Sequence, residues 1–414
     1  MNRTYKSATQ QRCYEILKPG TKKILSSASK SITCMTIGLL KEPAHETRVS
    51  LLAEAVATLT KKGITVIVEN GAGEKAFCSN ADYEKVGAQI KSRSEVLSSS
   101  DLMLTIHQPE ESEINPSTGS AQKSKIIIGV YQPLFNADTM KQWAAAGITT
   151  FSLDMLPRTT RAQSMDVLSS QANIAGYKAV LTAANSYGRY FPMFMTAAGS
   201  IAPAKILILG AGVAGLQAIA TAKRLGAVVE VFDTRPAVKE EVMSLGAKFV
   251  EVEGAADASK AGGYAVEQSE DFLQRQKAKI AESIAKADIV ITTAQIPGKK
   301  APVLITEEMI KAMRNGSVII DLAAATGGNT ELTKNAENYV HNGVTIVGNS
   351  NMPSTMPSDA SKLYGKNILN FLQLIIDKEG KINLNFEDDL VKGTCIAHEG
   401  KITNERVLSL TANP

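Results

Sequence analysis

The segment KILILGAGVAGLQAIATAKRLG, residues 205–226, constrains the fold of this chain more than any other. Four consecutive apolar residues between lysine and glycine read as a strand buried on both faces. The apolar spacing after Gly215 reads as an amphipathic helix. Between them stands Gly210-Ala211-Gly212-Val213-Ala214-Gly215, a G-x-G-x-x-G in the strand-to-helix context that gives the spacing meaning. Gly210 permits the tight turn, Gly212 lets a pyrophosphate approach the backbone, and Gly215 lets helix and strand pack closely. The free N–H groups and positive end of the helix then meet phosphate charge. The next apolar run, VVEVF, ends in Asp233-Thr234-Arg235. A carboxylate at Asp233 can accept both ribose hydroxyls of NAD and repel the 2′-phosphate of NADP, while Arg235 can partly reverse that preference. The plain alternative is a glycine turn with a solvated aspartate cap; strand, spacing and acid together argue against it.

Strand and helix patterns alternate on both sides of this unit. MTIGLL, ITVIVE, DLMLTI, KIIIGVY and ITTFSLD precede it as strands, with helical LLAEAVATLTKKG and NADTMKQWAAAG among them. VVEVFD, AKFVEV, ADIVITTA, GSVIIDLA and GVTIVGN follow. The alternation predicts an α/β protein: two Rossmann-like domains with parallel sheets, linked by long helices, with a cleft between them. A chain of 414 residues is also too long for one core. The expected division is a basic tail or linker at 1–34, a first α/β domain at 35–165 plus 355–396, an NAD-binding Rossmann domain at 166–354, and a C-terminal tail or linker at 397–414. A long helix over about 162–197 is expected to bridge the two regions, and the helix after Asn351 to return to the first.

Residues 1–34 hold seven Lys or Arg against one acid, Glu15, so the +4 charge of the whole chain belongs to the tail and the remainder is net negative. That leaves no nucleic-acid footprint on the folded part. The tail fits a linker or, being rich in Ser and Lys, an organelle-targeting peptide. The longest apolar runs are broken by glycine and fall short of the ~20 residues a membrane helix needs. Four scattered cysteines and four scattered histidines form neither a disulfide framework nor a metal site, and fit a reducing compartment.

Polar chemistry concentrates in RTTRAQSMDVLSSQ, residues 158–171. Thr160-x-x-Gln163 has capping-box spacing, with Thr160 as the N-cap and Gln163 reaching back. Capping leaves Arg158, Asp166 and Ser169 unexplained. With Gln163 they are expected along one helix edge, facing a ligand in the interdomain cleft. The strand-end peptides TTAQIPG (292–298) and DLAAATGGN (321–329) lie where open α/β sheets bind ligands, which places Ala294 and Gln295 beside the nucleotide. In the long polar loop 253–271, Gly263 offers a hinge and Tyr264 an aromatic able to close over a nucleotide.

These segments, with AGGYA and TTAQIPGKKAPVLITEEM, resemble the NAD(H)-binding component, domain I, of proton-translocating NAD(P) transhydrogenase over about residues 35–396. The resemblance implies a Re/Si-specific hydride transfer from NADH bound here to NADP⁺, the oxidised form of the NADP(H) bound on a partner domain, coupled to protons by a membrane domain. It implies that Arg158, Gln163, Asp166 and Ser169 hold the nicotinamide and its ribose. Gly210, Gly212, Gly215 and Asp233 would hold the rest of NAD, and Tyr264 would close over it. A homodimer is implied, as is a domain peripheral to a membrane on its cytosolic or matrix side, with the C-terminal tail leading toward the membrane domain.

Two other readings stay open. The related alanine dehydrogenases share the start KEPAHETRVS. Their substrate arginine matches Arg48 and their substrate lysine falls on His107, but their catalytic aspartate falls on Ala325, which cannot relay a proton. The third reading is a non-enzymatic NAD-binding protein.

Overall fold

The computed structural model describes residues 35–110, 113, 125–252, 254 and 269–411. The basic tail and the expected hinge and closing residue, Gly263 and Tyr264, lie outside the described residues. Two sheets organise the rest. The first contains β1 (Thr36–Leu39), β2 (Thr65–Glu69), β3 (Gln89–Lys91), β4 (Leu102–Leu104), β5 (Ile126–Gly129) and β6 (Thr149–Ser152). A separate antiparallel hairpin is formed by β7 (Phe194–Thr196) and β8 (Gly199–Ile201). The second sheet contains β9 (Lys205–Leu209), β10 (Val228–Phe232), β11 (Lys248–Phe249), β12 (Ile289–Thr292), β13 (Val318–Asp321), β14 (Asn338–His341) and β15 (Val344–Val347). The chain then returns: β16 (Cys395–His398) and β17 (Lys401–Ile402) extend the first sheet beyond β6.

The strand orders are β17-β16-β6-β5-β4-β1-β2-β3 and β11-β10-β9-β12-β13-β15-β14. In both sheets the first strand is central, the next two run to one side and the following ones to the other. Pairing is parallel except at β16, β17 and β14. This order creates a switch point beside each first strand, where the connections diverge and a crevice opens at the strands' carboxyl ends. The apolar runs follow from burial on both faces. Ile206 and Ile208 enter one core while Leu207 and Leu209 enter another across the sheet. Ile126 and Ile128 likewise oppose Ile127 in the first sheet.

The expected bridging helix is shorter than its pattern suggested. A 3₁₀ segment spans Thr160–Met165, the linker helix runs Val167–Ser186, and an irregular stretch then leads into the hairpin at Phe194. Asp166 is extended and stops the 3₁₀ segment from running on, while Tyr187 is extended just before Gly188 and ends the helix. The short strands β3, β14 and β17, all at sheet edges, were absent from the sequence reading, as was the four-residue β16, which lies inside the edge and is largely buried. No helix among the described residues is long and apolar enough to cross a membrane.

The linker helix lies against helix Val213–Arg224 through Ala175, Ala179 and Ala183, all buried. Gly176 makes the closest approach, because a β-carbon there would overlap the carbonyl oxygen of Ala214. Gly176→Ala is therefore expected to cost about 1–3 kcal/mol of stability as the helices are forced apart. Urea unfolding of the variant against the parent checks this.

Candidate functional site

Arg158, Gln163, Asp166 and Ser169 line one open cavity of about 390 Å³, walled otherwise by residues of the 153–168 stretch such as Leu153, Asp154 and Leu168. Ala162 and Met165 are buried in the first core, which turns Gln163 and Asp166 toward the cavity side. The structure corrects the capping assignment. Thr160 is not an N-cap, and the cap residue of the 3₁₀ segment, Thr159, makes no side-chain cap bond. Asp166 instead caps the linker helix, accepting from the Ser169 N–H at 2.9 Å while the Ser169 hydroxyl donates to its other oxygen at 2.6 Å. The reason is positional: the first full α-turn begins at Val167, so the orphan N–H groups lie beside Asp166. Asp166 and Ser169 thus form a preset pair, and Gln163 is released from capping and exposed.

Sequence reasoning missed Asp154. It stands at the carboxyl end of β6 in FSLD, a location that alone could have flagged it. Burial pushes its carboxyl above the usual range, opposed by the hydrogen bond donated by Ser152. The cavity lining contains no histidine, lysine or cysteine among the described residues. Its polar lining is Arg158, Gln163, Ser169, two threonines and the carboxylates Asp154 and Asp166.

The glycine-rich turn belongs to the second sheet. Gly210 has φ +108°, a region that favours glycine, and sits tightly against Thr293 on β12's exit loop. A β-carbon on Gly215 would overlap the Gly210 carbonyl oxygen, so only glycine lets helix and turn close. Gly212 faces open space, with no heavy atom within 4 Å of where its β-carbon would stand, at the start of helix Val213–Arg224. That opening, with Val213 40% exposed at the helix start, fits a phosphate group. Thr234 joins two residues that hold each other. Asp233 accepts from the Ala211 N–H at 2.7 Å and from Arg235 through Nε at 2.8 Å and Nη2 at 2.7 Å. Arg235 therefore lies on Asp233 instead of standing apart for a 2′-phosphate, and Asp233 ties the strand end to the turn. Ala294 and Gln295 occupy the β12 exit: buried Asn329 bonds both the N–H and the carbonyl of Ala294, and Gln295 donates to the Leu322 carbonyl. The exits of β12 and β13 are thereby locked together, an anchor the sequence reading did not find.

A third polar cluster surrounds the switch point of the first sheet. The Glu46 carboxylate accepts from Arg48 at 2.8 and 2.7 Å and pairs with His107 at 2.7 Å, while Arg48 also reaches Gln171 of the linker helix at 2.9 Å. Burial would raise the Glu46 carboxyl, but the hydrogen bonds of Arg48 and His107 outweigh it and hold it far below the carboxylate range. Nearby Glu42 is held by backbone donors instead. Burial pushes its carboxyl up to about 7, against the N–H groups of His107 and Ile106. Ala325 is exposed in the short 3₁₀ turn Ala324–Thr326.

Comparison with known proteins adds a family. Residues 38–175 match the N-terminal domain of alanine dehydrogenase/PNT, and residues 179–405 match its C-terminal domain. The chain is 44% identical to an NAD(P) transhydrogenase subunit alpha polypeptide of Rickettsia prowazekii (strain Madrid E), over 92% of this chain and 100% of that one. The crystal structure of transhydrogenase from Sinorhizobium meliloti superposes with a TM-score of 0.79 at 44% identity, covering 89% of this chain and 99% of that chain. Alanine dehydrogenase 1 of Staphylococcus aureus (strain Mu50 / ATCC 700699) is 28% identical over 91% of this chain and 96% of its own length.

Folding moves the Glu42 carboxyl from 4.5 to about 7, so the folded protein keeps a proton that the unfolded chain has released between those values. The stability that Glu42 contributes is complete below about pH 4.5 and falls as pH rises through 7, by up to about 3 kcal/mol. Glu42→Gln is expected to lose that slope. Denaturant unfolding at pH 5 and pH 8 measures it.

Proposed function

The chain belongs to the alanine dehydrogenase/PNT family and, within it, to the NAD(P) transhydrogenases; from that premise we propose that it is the NAD(H)-binding component of a proton-translocating enzyme. Bound NADH would supply a hydride that passes directly to NADP⁺ on a separate NADP-binding domain, with a membrane domain coupling the transfer to proton passage. The protein then works as a domain peripheral to the membrane, on its cytosolic or matrix side.

The observation that carries this reading is the cavity that gathers Arg158, Gln163, Asp166 and Ser169 without a histidine, lysine or cysteine among its described lining residues. Hydride passage between two nicotinamides needs no proton exchange between them. It needs two rings held at about 3–3.5 Å with water kept out, which is work for positioning groups. Asp166 and Ser169, already bonded to each other, present a fixed edge to the ribose; Arg158 supplies donors for the carboxamide; Gln163, exposed and released from capping, orients the ring and can reach a second nucleotide. The turn at Gly210, Gly212 and Gly215 receives the pyrophosphate on the N–H groups opened by Val213 and Ala214. Asp233, Thr234 and Arg235 border the adenosine ribose, Ala294 and Gln295 the far side, and Gly263 with Tyr264 would close over the whole.

An amino-acid dehydrogenase fits less well. That reaction requires a proton relay, and Ala325 offers only a methyl group. The residues at its substrate positions, Arg48 and His107, are both engaged by Glu46, which a carboxylate substrate would have to displace. A homodimer belongs to the proposal. The hairpin β7–β8 and the turn before it expose Tyr190, Met193, Phe194 and Met195, the last 78% accessible, an apolar patch of the kind a subunit interface covers.

Purified chain mixed with NADH, an oxidised NAD analogue and a trace of NADP-loaded partner domain should reduce the analogue rapidly and only when the partner is present. Alanine-dependent NADH production without a partner would sink the proposal; NADH binding with neither activity would favour a binding protein. Gln163→Asn is expected to leave NADH affinity nearly intact and to slow transfer, whereas equal loss of both would reduce Gln163 to a structural residue. Met195→Lys should shift the chain toward monomer in light scattering coupled to size exclusion.

A further inference from the structure

Gln163 of the cavity's polar edge stands on a short 3₁₀ segment, with Arg158 just before it and Asp166 just after, and the structure shows what holds that segment from outside. Thr160–Met165 is a single 3₁₀ stretch, a helix type whose hydrogen-bond geometry is poorer than that of an α-helix. One of its side chains, Arg161, and one of its carbonyls, Ser164, meet the returning C-terminal region of the chain. Arg161 meets Asp388 through both terminal nitrogens, at 2.7 Å each, and also contacts Asp389. The Ser164 carbonyl accepts from the side chains of Asn367 and Asn370, each at 2.9 Å, on helix Pro357–Ile375. Pro157 packs on Gly393, where a β-carbon would overlap the proline ring. Asp388 also caps helix Asp389–Thr394, accepting from the Leu390 and Val391 N–H groups. One carboxylate thus joins a helix end to the segment that lines the cavity, and that helix runs directly into β16 of the first sheet.

We propose that Arg161 is a positioning residue, whose two-point clasp on Asp388, shared with Asp389, sets where Arg158 and Gln163 stand at the cavity mouth. The charges agree with the geometry: the hydrogen bond from Arg161 holds the Asp388 carboxyl below the usual range, and Asp388 in turn raises the guanidinium. The guanidinium is half exposed, and exposed ion pairs add little to global stability. Its contribution is geometric, since a planar fork on a carboxylate fixes direction as well as distance, which an ammonium cannot do. A misplacement of about 1 Å in such a site can cost on the order of a hundredfold in rate.

This inference rests on the hydride-transfer reading, and the experiment separates the two. Arg161→Gln, Arg161→Lys and Asp388→Asn are compared with the parent for transfer to an NADP-loaded partner domain, NADH dissociation constant, melting temperature and amide hydrogen exchange over residues 158–166. Asparagine at 388 keeps the helix cap while removing the charge. Expected are a loss of transfer of about tenfold or more in Arg161→Gln and Asp388→Asn, NADH affinity within about twofold, nearly unchanged melting, faster exchange in 158–166, and partial recovery in Arg161→Lys. Unchanged transfer in Arg161→Gln overturns the inference, as does a parallel fall of affinity, melting and rate, which marks a merely structural contact. If the parent itself transfers no hydride, the functional reading fails and the positioning role with it, whatever the exchange shows.

Discussion

Everything at the site hangs on the linker helix Val167–Ser186 and its contact with helix Val213–Arg224. The contact is made by small residues, and Gly176 brings the two backbones close enough that no side chain fits between them. One end of the linker helix is capped by Asp166 on the cavity; its middle rests on the helix opened by the glycine-rich turn. The polar edge and the phosphate-type turn belong to different sheets, yet a single rigid element connects them. Asn173 and Gln217 add a side-chain hydrogen bond across the same contact at 3.3 Å.

Around that axis, several polar groups are fixed by partners rather than left to solvent. Asp233 is tied to the Ala211 N–H and to Arg235; Asn329 is tied to Ala294 and to the Pro302 carbonyl; Glu46 gathers Arg48 and His107. Such pairing preorganises a site, because groups already held in place need not be ordered when a nucleotide arrives. The returning segment completes the arrangement, since residues more than 200 positions away clasp the outer side of the 3₁₀ stretch.

Much of the architecture was legible in the chain because burial on both faces leaves its mark locally. ILIL and IIIG announce parallel strands, and the glycine spacing announces the turn between strand and helix. The α/β class and the doubling of the sheet followed from that alternation. Short edge strands such as β3 and β17 escaped, since a half-exposed run of two or three residues carries no periodic signal. The extent of the bridging helix was misjudged because helical composition continues through 160–166, and what stops it is the conformation of Asp166. The same residue explains the misread cap: Thr160 and Gln163 have capping-box spacing, but the helix they would cap begins seven residues after Thr160.

RTTRAQSMDVLSSQ by itself determined that polar groups of the right kinds stand near one another, because residues a few positions apart cannot be far apart in space. The glycine fingerprint and the acid after VVEVF were equally local facts, fixed by steric demands inside one strand-turn-helix unit. Which of those groups face a common cavity, that Asn329 holds Ala294, that Arg48 reaches Gln171, and that Asp388 holds Arg161 were decided only by the tertiary structure. Those contacts join positions separated by burial rather than by spacing, and burial is a property of the assembled sheets, not of any segment taken alone.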